Sequence, residues 1–156
     1  MYFKVAKLAY IKNKHSILIA VTNDLSTDQR VHKVASFLER NGWNVTAVGR
    51  LLPHSLPLNR SYKTKRFRLF FNKGALFYAN YNLRLFFWLV FHRKTTAILS
   101  NDLDTLLACF LASKIKRSKI YYDSHELYTE VPELTNSPRV RKVWLAIEKW
   151  IFPKLK

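Results

Sequence analysis

Ser16-Ile-Leu-Ile-Ala-Val-Thr22, then Asn23-Asp-Leu25, then Ser26-Thr-Asp-Gln-Arg-Val31, is the stretch whose reading decides the fold. Its first seven residues are an apolar run with β-branched side chains, the pattern of a strand buried on both faces. Asn23-Asp24-Leu25 reads as a turn. Ser26-x-x-Gln29 fits a capping box, in which the Ser26 hydroxyl accepts an orphan amide of the first helical turn. Val31, Val34, Ala35 and Leu38 recur at the spacing of one helical face, and Asn41-Gly42 supplies the stop. Asn44-Val-Thr-Ala-Val-Gly49 is then a second strand. Together they make a βαβ unit, whose strands should run parallel.

The pattern continues downstream. Leu51 to Ser61 holds two prolines and reads as a loop, and Lys65-Arg-Phe-Arg-Leu69 alternates basic and apolar residues, as a strand near a sheet edge does. Gly74 to Arg93 is long enough for about five helical turns. It is apolar nearly all round, so it is either deeply buried or leaves an adhesive face in solvent. Thr96-Ala-Ile-Leu-Ser100 is another buried strand, after which Asp102 caps a helix striped by Leu103, Leu106, Leu107, Phe110 and Leu111. Lys119-Ile-Tyr-Tyr-Asp123 is the last strand. Ser137 as N-cap and Pro138 at the first position open a helix through Trp150, with Val140, Val143, Trp144, Ile147 and Ile151 facing inward. Alternating strands and helices predict an open, doubly wound, mainly parallel Rossmann-like α/β sheet over residues 16–156, with residues 1–15 as a basic extension or edge segment.

Composition narrows the function. The chain has 156 residues, 49% apolar and 15% aromatic, enough for one real core. Its single cysteine, Cys109, excludes an internal disulfide framework and a Cys-rich zinc site. None of its three glycines (Gly42, Gly49, Gly74) is placed for G-x-G-x-x-G or a Walker loop. The longest uninterrupted apolar run, Leu85–Phe91, falls far short of the roughly 18 residues that span a bilayer. Met1–His15 has no h-region of a signal peptide, so a cytoplasmic location is expected.

Charge is the outlying property: 27 basic against 10 acidic residues gives +17. No acid occurs between Glu39 and Asp102, while Lys and Arg recur from Arg50 to Lys94. Such a field attracts nucleic acid, anionic headgroups or phosphorylated substrates. No nucleic-acid-binding module is recognisable, so no specific nucleic acid is expected as partner. The basic face formed by Arg60, Lys63, Lys65, Arg66 and Arg68, with the Leu85–Phe91 run, would suit the cytoplasmic face of an anionic membrane. On charge alone, the alternative to an enzyme is a basic membrane-surface or nucleic-acid-binding module without catalysis. The acids, in turn, cluster as Asp24/Asp28, Asp102/Asp104 and Asp123/Glu126/Glu130/Glu133, each group following the carboxyl end of a predicted strand. In open α/β sheets that edge is where ligands bind.

Three strings then carry a resemblance: Asn23-Asp-Leu-Ser-Thr-Asp-Gln-Arg-Val31 with its helix, Asn101-Asp-Leu-Asp-Thr-Leu106, and Tyr122-Asp-Ser-His-Glu-Leu-Tyr-Thr-Glu-Val-Pro-Glu-Leu134. Together they resemble the N-terminal half of a GT-B glycosyltransferase, of the large retaining family called family 4. The D-x-H-E and E-V-P-E-L strings are the most specific part. The resemblance implies two Rossmann-like domains facing a cleft, with the nucleotide-sugar held by the second. The chain then looks truncated after its acceptor-side domain, with the donor-binding domain absent and the domain itself incomplete at its C-terminus. Transfer would run from a nucleotide-activated sugar, as co-substrate, to a saccharide or lipid-linked acceptor, with no cofactor and no metal. Many relatives carry glycines in the first strand–helix turn, where backbone amides approach the donor diphosphate. Here that turn is Asn23-Asp-Leu-Ser-Thr, and a Cβ at each position restricts the approach.

By this resemblance His125 stands near the donor sugar and the transferring centre, or else bonds only loop backbone. Glu126 would orient His125 or accept from a substrate hydroxyl, or cap a helix start. Asp24, Asn101 and Asp102 line the same edge as candidates for acceptor hydroxyls. Arg30 would meet the donor phosphate, or pair with Asp28 or Glu39. Tyr128 would stack on a sugar ring or pack in the core.

Overall fold

The computed structural model describes residues 15–124, 129 and 137–155. Along them run β1 (Ser16–Asp24), α1 (Gln29–Arg40), β2 (Asn44–Leu51), β3 (Lys63–Arg68), α2 (Gly74–Phe91), β4 (Ala97–Asn101), α3 (Leu103–Lys116), β5 (Lys119–Asp123) and α4 (Pro138–Ile151), with a 3-10 turn at Phe152–Lys154. The strands form one sheet in the order β3-β2-β1-β4-β5, every neighbouring pair parallel. The winding reverses between β1 and β4, which places the topological switch point at the ends of those two strands. This is the Rossmann-like α/β fold that the alternation of elements predicts.

Period-two alternation splits the core into two layers. Ile17, Ile19 and Val21 of β1 join Val45 and Ala47 of β2 beneath Val31 and Ala35 of α1. Leu18 and Ala20 turn to the other face, where Val48 and Ile98 meet α2 and α3. Burying a side chain of this size contributes about 1.5–3 kcal/mol. On the outer side of α3, Leu103, Leu106 and Phe110 pack against Trp144 and Ile151 of α4.

Local readings are corrected at four places. The N-cap of α1 is Asp28, whose carboxylate accepts from the Val31 amide at 2.9 Å, and not Ser26. Asp102 stands at the N-cap position of α3 but makes no side-chain cap bond, because its carboxylate turns to Arg30 instead. Ser137 likewise precedes α4 without a side-chain cap bond. The stripes of α3 and α4 are narrower than their periodicity suggests: Leu111, Val140 and Val143 are exposed, because α3 and α4 cover each other only along Trp144, Ile147 and Ile151.

The end of β1 is built to leave the ladder. Its register with β2 shifts between Ala20 and Asp24. The Val21 carbonyl accepts from the buried Tyr81 hydroxyl of α2 at 2.5 Å. The Asn23–Leu25 turn then crosses β2 at Gly49, where a Cβ would lie 2.7 Å from the Asn23 carbonyl oxygen and from Leu25 Cγ. Only glycine admits that approach.

Candidate functional site at the carboxyl edge of the sheet

At the switch point the ends of β1, β4 and β5 lie side by side, and the first turns of α1 and α3 follow the first two of them. Arg30 reaches the ends of β4 and β5 from the first turn of α1. Its Nη2 donates to Asp102 Oδ2 at 2.8 Å, and its Nη1 lies 4.0 Å from Asp123 Oδ2 at the end of β5. Neither of the partners expected from sequence is used: Asp28 caps α1, and Glu39 accepts from Ser61. Arg30, Asp102 and Asp123 remain partly exposed, so a ligand can reach all three.

Asp102 is held in an unusual backbone conformation, φ 62° and ψ 164°, a region almost reserved for glycine. Such a residue carries about 1–3 kcal/mol of strain and persists only where its surroundings fix it. Here the Asp102 amide donates to the Asp123 carbonyl at 2.9 Å, locking the β4–α3 junction to the end of β5. Asn101, just before it, donates from Nδ2 to the Ala20 carbonyl at 3.0 Å and stitches β4 to β1. Asn101 is buried and belongs to the fold.

Asp24 is buried as well. Burial pushes its carboxyl upward, but hydrogen bonds from Ser55 and the Ser26 amide, and the charge of Arg66, outweigh this and hold it below the ordinary carboxylate range. Arg66 sits 3.9 Å away and also donates to the Leu56 carbonyl at 3.0 Å, so Asp24 ties the first turn to the β2–β3 loop. Arg66 is thereby withdrawn from the free basic face expected of it.

The group that sequence reasoning passed over is Asp104. In sequence it is one of the acids that cluster after a strand end, yet it is only 6% exposed. Burial pushes its carboxyl up to about 7; the Thr22 hydrogen bond opposes this, the charge of Asp102 adds to it, and Arg30 opposes it. Thr22 Oγ1 donates to Oδ2 at 2.5 Å, while Oδ1 is buried with no hydrogen-bond partner among the described residues. The cause lies in the packing of α3, which is buried on nearly every side, so its first-turn acid has no solvent to face. Cys109, on the same helix, is fully buried with its thiol pushed up to about 12, which removes it as a nucleophile.

Of the residues singled out from sequence, the structure thus brings Arg30 and Asp102 together, adds Asp123, and turns Asp24 and Asn101 into the fold. His125, Glu126 and Tyr128 lie outside the described residues. Among the described residues, no three His, Cys, Asp or Glu side chains group as metal ligands. In such a group the guanidinium donates to an anion, while the two carboxylates accept from hydroxyl groups.

No protein-family model matches the chain, and no curated protein matches it. Among solved structures, the C-terminal domain of a hydrogenase from Pyrococcus furiosus is similar, with a TM-score of 0.54 at 16% identity, over 70% of this chain and 91% of that one. A likeness at that identity shows the Rossmann-like fold alone.

Proposed function

We propose that this chain is the acceptor-side domain of a GT-B glycosyltransferase resembling the retaining family 4 enzymes. The observation that carries the reading is the cluster of Arg30, Asp102 and Asp123 at the switch-point edge, with Ser124-His125-Glu126 joined directly to Asp123 in sequence. Sugar transfer requires an acceptor hydroxyl held in line with the anomeric carbon and stabilisation of the departing phosphate. In this reading Asp102 and Asp123 accept hydroxyl hydrogens of a saccharide or lipid-linked acceptor. Arg30 meets the charge that develops on the leaving phosphate. His125 stands at the transferring centre, Glu126 orients it, and Tyr128 stacks on a sugar ring. The nucleotide-sugar donor is held mainly by a second domain, so the 156-residue chain binds acceptor without turning it over.

The test titrates the isotope-labelled chain with candidate oligosaccharide acceptors and, separately, with nucleotide-sugars. Saturable shifts at Asp102 and Asp123 are expected with an acceptor, weakened roughly tenfold by Asp123→Asn, the effect of one charged hydrogen bond. Micromolar nucleotide-sugar binding or sugar transfer by the chain alone would overturn the assignment of the donor to another domain. The absence of any saturable acceptor shift would overturn the reading itself.

A further inference from the structure

Helix α2 carries two apolar faces, and the sheet uses one. Phe77, Tyr81, Leu85 and Leu89 fill the core. Leu76, Leu83, Phe87 and Phe91 form a second stripe on the opposite side, at helical spacing, and all four are exposed, Phe91 to 82%. The Phe87 and Phe91 rings stack with centroids 6.4 Å apart and planes 10° from parallel. The loop before the helix adds Phe70, 79% exposed, and Phe71. Arg84 fastens that loop, its guanidinium 4.8 Å from the Phe70 ring centroid and its Nη1 donating to the Arg68 carbonyl at 2.7 Å.

A basic rim surrounds the stripe. Lys63, Lys65 and Arg68 on β3, Lys73 before α2, and Arg93 and Lys94 after it are exposed, and none makes an ion pair with a described residue. No acidic residue lies anywhere in residues 40–101. At the carboxyl end of α2 the positive charges converge: burial and then Lys116, Lys63 and Arg93 keep His92 below its ordinary range.

We infer that this face of α2 docks on the surface of an anionic lipid bilayer, with the aromatic stripe entering the acyl boundary and the basic rim on the headgroups. The inference is independent of the glycosyltransferase reading. A nucleic acid would satisfy the charge and leave the apolar stripe uncovered. A second copy would cover the stripe while bringing together two chains of +17 each. A bilayer with anionic headgroups satisfies both at once. No helix among the described residues is long and apolar enough to cross a membrane, so α2 lies in the interface.

The experiment uses the whole chain with phosphatidylcholine vesicles, with and without phosphatidylglycerol. Sedimentation with the anionic vesicles is expected, falling with added salt and with removal of phosphatidylglycerol. Lys63→Gln with Lys65→Gln should weaken binding roughly thirtyfold, and Phe87→Ser and Phe91→Ser roughly tenfold each, with melting temperatures unchanged because these side chains are exposed. An environment-sensitive dye at Phe91→Cys should shift to the blue on vesicles, while the same dye at Phe37→Cys, exposed on α1 across the sheet, should not. The inference is overturned by vesicle binding that ignores the two Phe variants, or by equal shifts at both dyes. It is equally overturned by tight duplex DNA binding without vesicle binding, or by a dimer that Phe87→Ser dissolves.

Discussion

At the carboxyl edge of the sheet Arg30 meets Asp102 at 2.8 Å and Arg66 meets Asp24 at 3.9 Å; around the outer face of α2, Lys63, Lys65, Arg93 and Lys94 meet no acid among the described residues. The three ion pairs that the described residues make with one another all lie at the first region. The same contrast holds for apolar groups. Leu25 is buried over Gly49 at the edge, whereas Leu83, Phe87 and Phe91 stand in solvent on α2. Charges that are paired and partly or fully buried take part in fixing the fold and its carboxyl edge. Charges and rings that nothing in the chain covers contribute little to folding, and their explanation has to lie outside it.

The sharpest probe of that contrast is one substitution made twice on one helix. Leu85 is 0% exposed and Leu83 is 58% exposed. Leu85→Ala removes a fully buried side chain from between α2 and the sheet and should cost about 2–5 kcal/mol in urea unfolding. Leu83→Ala should stay within about 0.5 kcal/mol. A comparable loss in both variants would mean that the outer stripe is core after all, covered by a part of the chain beyond the described residues.

That stripe was legible in sequence only as a choice. Gly74–Arg93 is apolar nearly all round, and such a pattern does not say which face the sheet takes. The sheet itself was legible, because Ser16–Thr22, Thr96–Ser100 and Lys119–Asp123 are short apolar, β-branched or aromatic runs separated by helical patterns. The carboxyl edge was legible as a cluster of acids but not as a set of partners. Ser26 lost the N-cap to Asp28 because the β1 bend carries the turn two residues further. Arg30 found Asp102 and Asp123 across the switch point, pairings that depend on strand order and on no local spacing. Asp104 was hidden because a helix start normally faces solvent, and α3 does not.

Asp104 offers the next test, since a buried acid beside the carboxyl edge has no counterpart on the basic face. Its folded pKa is raised from 3.8 to about 7, so the folded state keeps a proton that the unfolded chain has lost. Its contribution to stability is therefore fullest below about 3.8, falls as pH rises between 3.8 and about 7, and is flat above. Asp104→Asn mimics the protonated acid at every pH. The variant should gain on the parent chain by up to about 1.4 kcal/mol per pH unit across that window. His32 and His92, both lowered chiefly by burial, act in the opposite direction but cancel in the difference. Unfolding measured from acid to neutral pH checks it; a difference that does not vary with pH would show a carboxyl ionised like any exposed one.

The smallest effect concerns backbone strain, and its sign carries the information. Two non-glycine residues among those described have positive φ: Asp102 at the carboxyl edge, and Arg117 at the end of α3. Arg117, at φ 53° and ψ 39°, is an ordinary left-handed helix cap. Asp102, at φ 62° and ψ 164°, is not, and its conformation is maintained by the Asp123 carbonyl and the Arg30 ion pair. Asp102→Ala loses the ion pair and keeps the strain. Asp102→Gly loses the same pair and relieves the strain, against a gain in unfolded-chain freedom of about 0.5–1 kcal/mol. The glycine variant should therefore be more stable than the alanine variant by about 1 kcal/mol in thermal or urea unfolding. At Arg117 the glycine–alanine gap should be smaller, because the left-handed cap is less costly for a side chain. If alanine matches glycine at Asp102, the junction stores no strain, and Arg30 alone, not a forced backbone, orients the carboxylate. If glycine wins there, the junction stores strain that the Asp123 carbonyl and the Arg30 ion pair hold in place, a cost that no exposed charge on α2 carries.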